Sequence, residues 1–160
     1  MNTNTQQPWQ QSEVISHSQL LCNSFQHWTG DSLIDIVDNP ILLSEKLFLA
    51  PFVVVSHGRE SDPICNYGNQ LALKLWEMNW DDFTRLPSRL SAEPIEQSER
   101  EVMLKKSLEQ GLISNYRGMR ISSKKERFFI EDGIIWTLLD AQNQTCGQAA
   151  MFMHWTPIVE

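Results

Sequence analysis

The stretch from Tyr116 to Trp155 limits what this chain can fold into more than any other. It reads as three β-strands in succession: Tyr116–Ser122, Arg127–Asp140 and Thr145–Trp155. Ala141-Gln142-Asn143-Gln144 is a polar break of hairpin length between the last two. Gly133 interrupts the middle strand and predicts a bulge or sharp bend. Much of the stretch is apolar on both faces, so both faces of the sheet need cover. The rest of the chain must supply it.

Pro51-Phe52-Val53-Val54-Val55-Ser56 is β-branched and compact, as a central strand buried on both faces would be. Ile64–Tyr67 reads as a second short strand. A helix over Asn69–Met78 follows, then a helical turn over Trp80–Leu86 that Pro87 ends. Pro94 is well placed at the start of a helix running from about Glu93 to Gln110, which Gly111 stops. Ahead of all this, Val14, Ser18, Leu21, Phe25 and Trp28 recur at helical spacing, with Gly30 at the C-terminal cap position. That helix has a face to bury, on the sheet or on a second copy of the chain. The order predicts an α+β fold: a five-stranded antiparallel sheet with helices on one face. Residues 1–48 read as an N-terminal helical extension and 49–160 as the domain.

A chain of 160 residues fits one domain. Its net charge of −7 argues against sequence-independent nucleic-acid binding and against a polybasic membrane surface. Charge reverses locally at Arg117, Arg120, Lys124, Lys125 and Arg127, where only Glu126 is acidic. A solvated strand edge guarded by charge accounts for this, and a docking patch for an acidic partner is the sharper alternative. Cys22, Cys65 and Cys146 are scattered and form no CxxC pair, which suits a reducing cytoplasm. The first 30 residues have neither the basic nor the apolar region of a secretory signal. No apolar run approaches the length that spans a bilayer.

Several strings resemble the MEKHLA domain, a PAS-like family. They are Pro51-Phe52-Val53-Val54-Val55-Ser56-His57-Gly58, Asp62-Pro63 with Asn66-Tyr67-Gly68-Asn69, Leu86-Pro87-Ser88-Arg89-Leu90-Ser91-Ala92-Glu93-Pro94, Tyr116-Arg117-Gly118-Met119-Arg120-Ile121-Ser122 and Gly147-Gln148-Ala149-Ala150-Met151-Phe152. The resemblance runs from the first helix to Trp155. It implies a PAS-like fold and a free-standing sensory or interaction module, without catalysis of its own, whose output passes through a partner.

In a PAS-like fold the central helices and the concave sheet face enclose a small cavity, mostly apolar with a few orienting polar groups. Tyr67, Trp76, Met103, Trp136, Gln148 and Phe152 are the residues expected around it. A filled core made of the same side chains is the plain alternative. Gln148 is the most telling, because a buried amide must find partners: a ligand, Tyr67 or a backbone group. By alternation it shares a face with Cys146, Ala150, Phe152 and His154. Arg89 could grip a carboxylate or phosphate, although pairing with Glu93 or capping nearby carbonyls is the favoured role. Neither a metal nor a cofactor is expected: His17, His27, His57 and His154 lack paired ligand spacing. The longer helix carries no histidine to ligate a haem, and Cys65 precedes Asn66 in a strand rather than sitting in the helical Asn-Cys-Arg motif of flavin photosensors. His57 and Cys65 are the only Cys/His pair close in sequence, with no obvious orienting acid beyond Asp62. The expectation is a ligand- or partner-binding regulator, dimerising through Val14, Leu21, Phe25 and Trp28. An enzyme using the same cavity with Arg89 and His57, or an adaptor with no cavity, are the alternatives.

Overall fold

The alternating apolar pattern of the C-terminal stretch resolves into one long hairpin with a third strand beside it. The computed structural model describes residues 6–35, 37–92 and 94–159, with side chains at 94–97 and 100 left aside. Its elements are α1 (Ser12–Thr29), α2 (Pro40–Phe48), β1 (Val53–His57), β2 (Cys65–Gly68), α3 (Gln70–Trp76), α4 (Trp80–Phe83), α5 (Pro94–Gln110), β3 (Leu112–Ile121), β4 (Arg127–Leu139), β5 (Thr145–Phe152) and β6 (His154–Pro157). The sheet order is β2-β1-β5-β4-β3, and every pairing is antiparallel. The expected α+β architecture is therefore the observed one, with one strand segment more.

That extra segment comes from a break in the expected Thr145–Trp155 strand. β5 pairs with β4 through Ile134↔Met151, and β6 continues on the same strand with Glu131↔His154. The two segments are one arm, interrupted at Met153. Opposite the interruption, Asp132 takes a left-handed φ of 50° and Gly133 pairs with Tyr116, where the β3–β4 ladder slips. The bulge thus lies where Gly133 placed it. β3 starts at Leu112, four residues earlier than its pattern suggested. Ser114 and Asn115 hide that part of the strand, and Asn115 bends it with a φ of 56°.

Helices cover both faces. On one, α3, α4 and α5 meet the sheet through Trp76, Phe83, Met103, Tyr116, Ile130, Ile135 and Phe152. On the other, α1 packs across the sheet, with Leu21 and Phe25 against Trp136, Leu138, Ala149 and Met151. The stripe expected to dimerise is therefore used within the chain. Val14, Leu21 and Phe25 are buried, and the Trp28 indole N–H donates to the Thr137 carbonyl. The physical reason is the strands' two apolar faces: α3–α5 can close only one of them. Burying Leu21 and Phe25 contributes roughly 1.5–3 kcal/mol each, so a partner competing for this stripe would have to replace that.

Asn69 joins the two layers. It is fully buried and caps α3 by accepting from the Ala72 N–H. The same oxygen accepts from the Val54 N–H, while its amide donates to the carbonyls of Phe52 and Leu47. One side chain thereby sets the start of α3 against β1 and the end of α2. No helix among the described residues is long and apolar enough to cross a membrane.

Candidate functional site

Between α3–α5 and the sheet lies a cavity of about 70 Å3. Strand alternation supplies its floor. Tyr116, Gly118 and Arg120 are the inward positions of the last half of β3; Ile130 and Ile135 come from β4, and Gln148, Ala150 and Phe152 from β5. Trp76 from α3, Phe83 from α4 and Met103 from α5 close it from above, with Ser88 and Ser91 at one side. Trp76 meets Phe128 edge-on at 5.2 Å and Phe152 at 6.3 Å.

Four of the seven residues expected at the site line this cavity: Trp76, Met103, Gln148 and Phe152. Gln148 is buried and donates its amide to the Leu104 carbonyl on α5 at 3.0 Å, so its partner is a backbone group. It ties the sheet to the helix that roofs the cavity. Tyr67 and Trp136 belong to the opposite face, in the layer under α1. Trp136 is there because Ile135 takes the inward position, and adjacent residues of a strand point oppositely. Tyr67 alternates in the same way from Cys65 through the β2 bulge, and its hydroxyl, with Ser18 beside it, is pushed far above its ordinary pKa by burial.

Arg89 is not in the cavity either. It is half exposed and forms an ion pair with Asp62 through Nε at 3.1 Å. Backbone bonds run alongside, from Ser88 N–H to the Pro63 carbonyl and from Cys65 N–H to the Leu86 carbonyl. Arg89 therefore clasps two loops, which matches the favoured structural role with a different acid. Glu93, its expected partner, lies outside the described residues. The alternation expected for β5 also fails at both ends. A register slip at Leu138/Leu139 turns Cys146 towards the α1 layer, and the break at Met153 puts Trp155, not His154, beside Phe152.

Sequence reasoning missed Arg120, and it is the main polar feature of the wall. Read as part of a basic edge, it is instead 6% exposed. Its guanidinium donates to the Met119 carbonyl at 2.7 Å and to the Tyr116 hydroxyl at 3.0 Å. Tyr116 lies over Gly118, where any side chain would strike its hydroxyl. The strand period carried the signal: Tyr116, Gly118 and Arg120 alternate with exposed or half-exposed neighbours. Of the rest of that basic cluster, Arg117 sits over the Phe129 ring at 3.8 Å and bonds Glu131, and Lys124 approaches Glu77. The Thr156 hydroxyl and Arg117 hold the Glu131 carboxyl below its usual range.

His57 and Cys65 are cross-strand partners, and both line the cavity. The His57 Nδ1 faces the Gly58 carbonyl, and Asp62, the candidate orienting acid, is engaged by Arg89. No group of three metal-ligating side chains occurs among the described residues. Sites for drug-sized ligands run to about 300–1,000 Å3, so a flavin does not fit this cavity. Cys65 also stands on a strand rather than a helix.

The fold has solved counterparts. The PAS domain of a protein from Colwellia psychrerythraea superposes with a TM-score of 0.61 at 11% identity, over 72% of this chain and 92% of that one. A light-oxygen-voltage domain studied with a flavin analogue gives 0.57 at 16%, over 74% and 86%. An RNA-binding light-oxygen-voltage receptor gives 0.59 at 13%, over 75% of this chain and 33% of that one. At such identities the likeness concerns the fold. No curated protein matches the chain. The family model described as the MEKHLA domain matches residues 15–157, which takes in α1 from its fourth residue, the whole sheet and every wall of the cavity. The chain thus belongs to the MEKHLA domain family, built on a PAS-type sheet.

Proposed function

We propose that this chain is a sensory or regulatory domain that holds a small ligand between α5 and the sheet and acts by binding rather than by turnover. One observation carries the reading. The cavity's roof, α5, is held to the sheet by a few side-chain hydrogen bonds, and one of them, Gln148 to the Leu104 carbonyl, lies in the cavity wall itself, beside Thr137 to the Ser107 carbonyl and Tyr116 to Glu99. A ligand beside that contact would act by favouring one of two packings of α5 against the sheet, which is what a population shift requires. The three unbridged cysteines suit a reducing cytoplasm. Output then passes to a protein partner, and the net charge of −7 disfavours nucleic acid in that role.

Native mass spectrometry and thermal shift against a metabolite panel test this, alongside Ala150→Leu, which fills the cavity from β5. Binding without turnover, lost in that variant while its circular dichroism is unchanged, supports the reading. Binding that survives Ala150→Leu rejects the cavity as the site. The juxtaposition of His57 and Cys65 gives a second, enzymatic reading. Turnover by the wild type that disappears in Cys65→Ser would replace the first reading with that one.

A further inference from the structure

Arg120 carries a full charge in a wall that is mostly apolar among the described residues. Its guanidinium has five N–H donors. One goes to the Met119 carbonyl and one to the Tyr116 hydroxyl. The remaining donors have no acceptor among the described residues, and no carboxylate there lies within ion-pair reach; the three ion pairs involve Arg89, Arg117 and Lys124. A buried cation without a counter-charge is costly unless something supplies one. Glu99 accepts from the Tyr116 hydroxyl at 3.5 Å, so its carboxylate is linked to the guanidinium through that hydroxyl and makes no ion pair with it. A second polar group in the same wall lacks a partner among the described residues. Trp76 is 3% exposed, and its indole N–H has no partner among the described residues.

We propose that the cavity takes a short aliphatic monocarboxylate, its carboxylate paired with Arg120 and its chain among Phe83, Met103, Ile130 and Phe152. This rests on the reading of the cavity as a ligand site and adds the ligand's chemical class. The volume of about 70 Å3 sets the size: a molecule of a few non-hydrogen atoms. The charge count sets the valence. Among the described residues Arg120 is the only Lys or Arg in the wall, so a second carboxylate would be buried unpaired there. A guanidinium fork matches a carboxylate in plane, which a neutral amide cannot reproduce at equal strength.

The test is a titration of the full chain with acetate, propionate, butyrate and valerate, each against its primary amide, and with succinate. Calorimetry and the Arg120 Nε–Hε resonance of labelled protein are the readouts. The expected result is saturable binding of one of the short acids, with its amide at least about tenfold weaker and succinate no tighter. The Arg120 resonance should shift only with the acid. Arg120→Gln should remove the acid-over-amide preference. If that variant does not fold, the resonance shift in wild-type protein still decides. Acid and amide binding equally, both lost in Ala150→Leu, would overturn the anion assignment and leave the ligand cavity standing. Binding of neither class, in a chain that does bind other metabolites at this cavity, would overturn the assignment alone. Binding of nothing at the cavity would overturn both.

Discussion

The Trp28 indole N–H donates to the Thr137 carbonyl at 2.8 Å, and this bond fixes the C-terminal end of α1 on β4. The same ring lies where a side chain at Gly111 would have to go, and Gly111 itself has a φ of +80°. Trp28→Phe keeps most of the packing and loses the bond, so it should cost about 1 kcal/mol in urea unfolding. Gly111→Ala should cost about 2–3 kcal/mol, combining left-handed strain with collision against the indole. In the double variant Trp28→Ala/Gly111→Ala the collision is gone. Its cost should therefore fall short of the sum of the Trp28→Ala and Gly111→Ala single costs by at least about 0.5 kcal/mol. Strict additivity would mean that the ring does not occupy that space.

Asn69 should be the most sensitive single polar residue. It makes two donor and two acceptor contacts while fully buried. Asn69→Leu strands three backbone groups, the Val54 and Ala72 N–H and the Phe52 carbonyl, since the Leu47 carbonyl also accepts from the Ala50 N–H, and it should cost about 3–5 kcal/mol. Asn69→Asp keeps the acceptor but aims a carboxylate at the Phe52 and Leu47 carbonyls. At pH 7 it should be as harmful, and it should recover part of the loss near pH 5 as the carboxyl protonates and regains a donor. Chemical denaturation at the two pH values is the measurement, and equal stability at both would count against this geometry.

What the sequence made legible follows from which signals are local. The β4–β5 hairpin, its turn and the Gly133 bulge were all readable, because period, turn chemistry and glycine act over a few residues. So was the apolar stripe of α1. Which surface that stripe meets was not readable, because a helix face looks the same whether a sheet or a second chain covers it. The site was half legible for a related reason. Trp76, Met103, Gln148 and Phe152 were found as large or amphipathic side chains in the right elements. Trp136 was misplaced by one residue of register, which in a strand means the other face. Arg120 was lost among its charged neighbours, since composition groups Arg117, Arg120 and Lys124 while alternation separates them. Cys146 and His154 were misassigned by the two irregularities in the arm, the register slip and the break at Met153.

Gly118 should be as important to the cavity as any residue that lines it with a side chain. Tyr116 folds over it to reach Arg120. Gly118→Ala must displace the Tyr116 ring and break that hydrogen bond. The expected cost is about 1–3 kcal/mol, with altered near-ultraviolet circular dichroism from the tyrosine. Tyr116→Leu in the same chain should relieve most of the clash, leaving Gly118→Ala nearly silent in that background. If Gly118→Ala is silent alone, the ring is not over the glycine.

His17 should make the chain acid-sensitive. Its Nε2 lies 2.8 Å from the Ser56 hydroxyl, which itself donates to the Asn66 side-chain oxygen. Ser56 has one proton to give, so His17 must be the donor in the first bond, which fixes the neutral ring as the Nε2–H form. Burial beside Tyr67, 5.8 Å away between ring centres, lowers its pKa from 6.5 to about 4. The unfolded chain therefore binds a proton between those values that the folded chain refuses. Stability from this group is complete above pH 6.5 and falls as pH drops towards 4, by roughly 2–3 kcal/mol. Carboxylates titrate near the lower end of the same range, so the informative quantity is the difference between wild type and His17→Gln. That variant should be less stable at pH 7 through its lost packing, and the gap should narrow steadily between pH 6.5 and 4. Stability curves that stay parallel across this window would mean that His17 takes up its proton as readily in the folded chain as in the unfolded one.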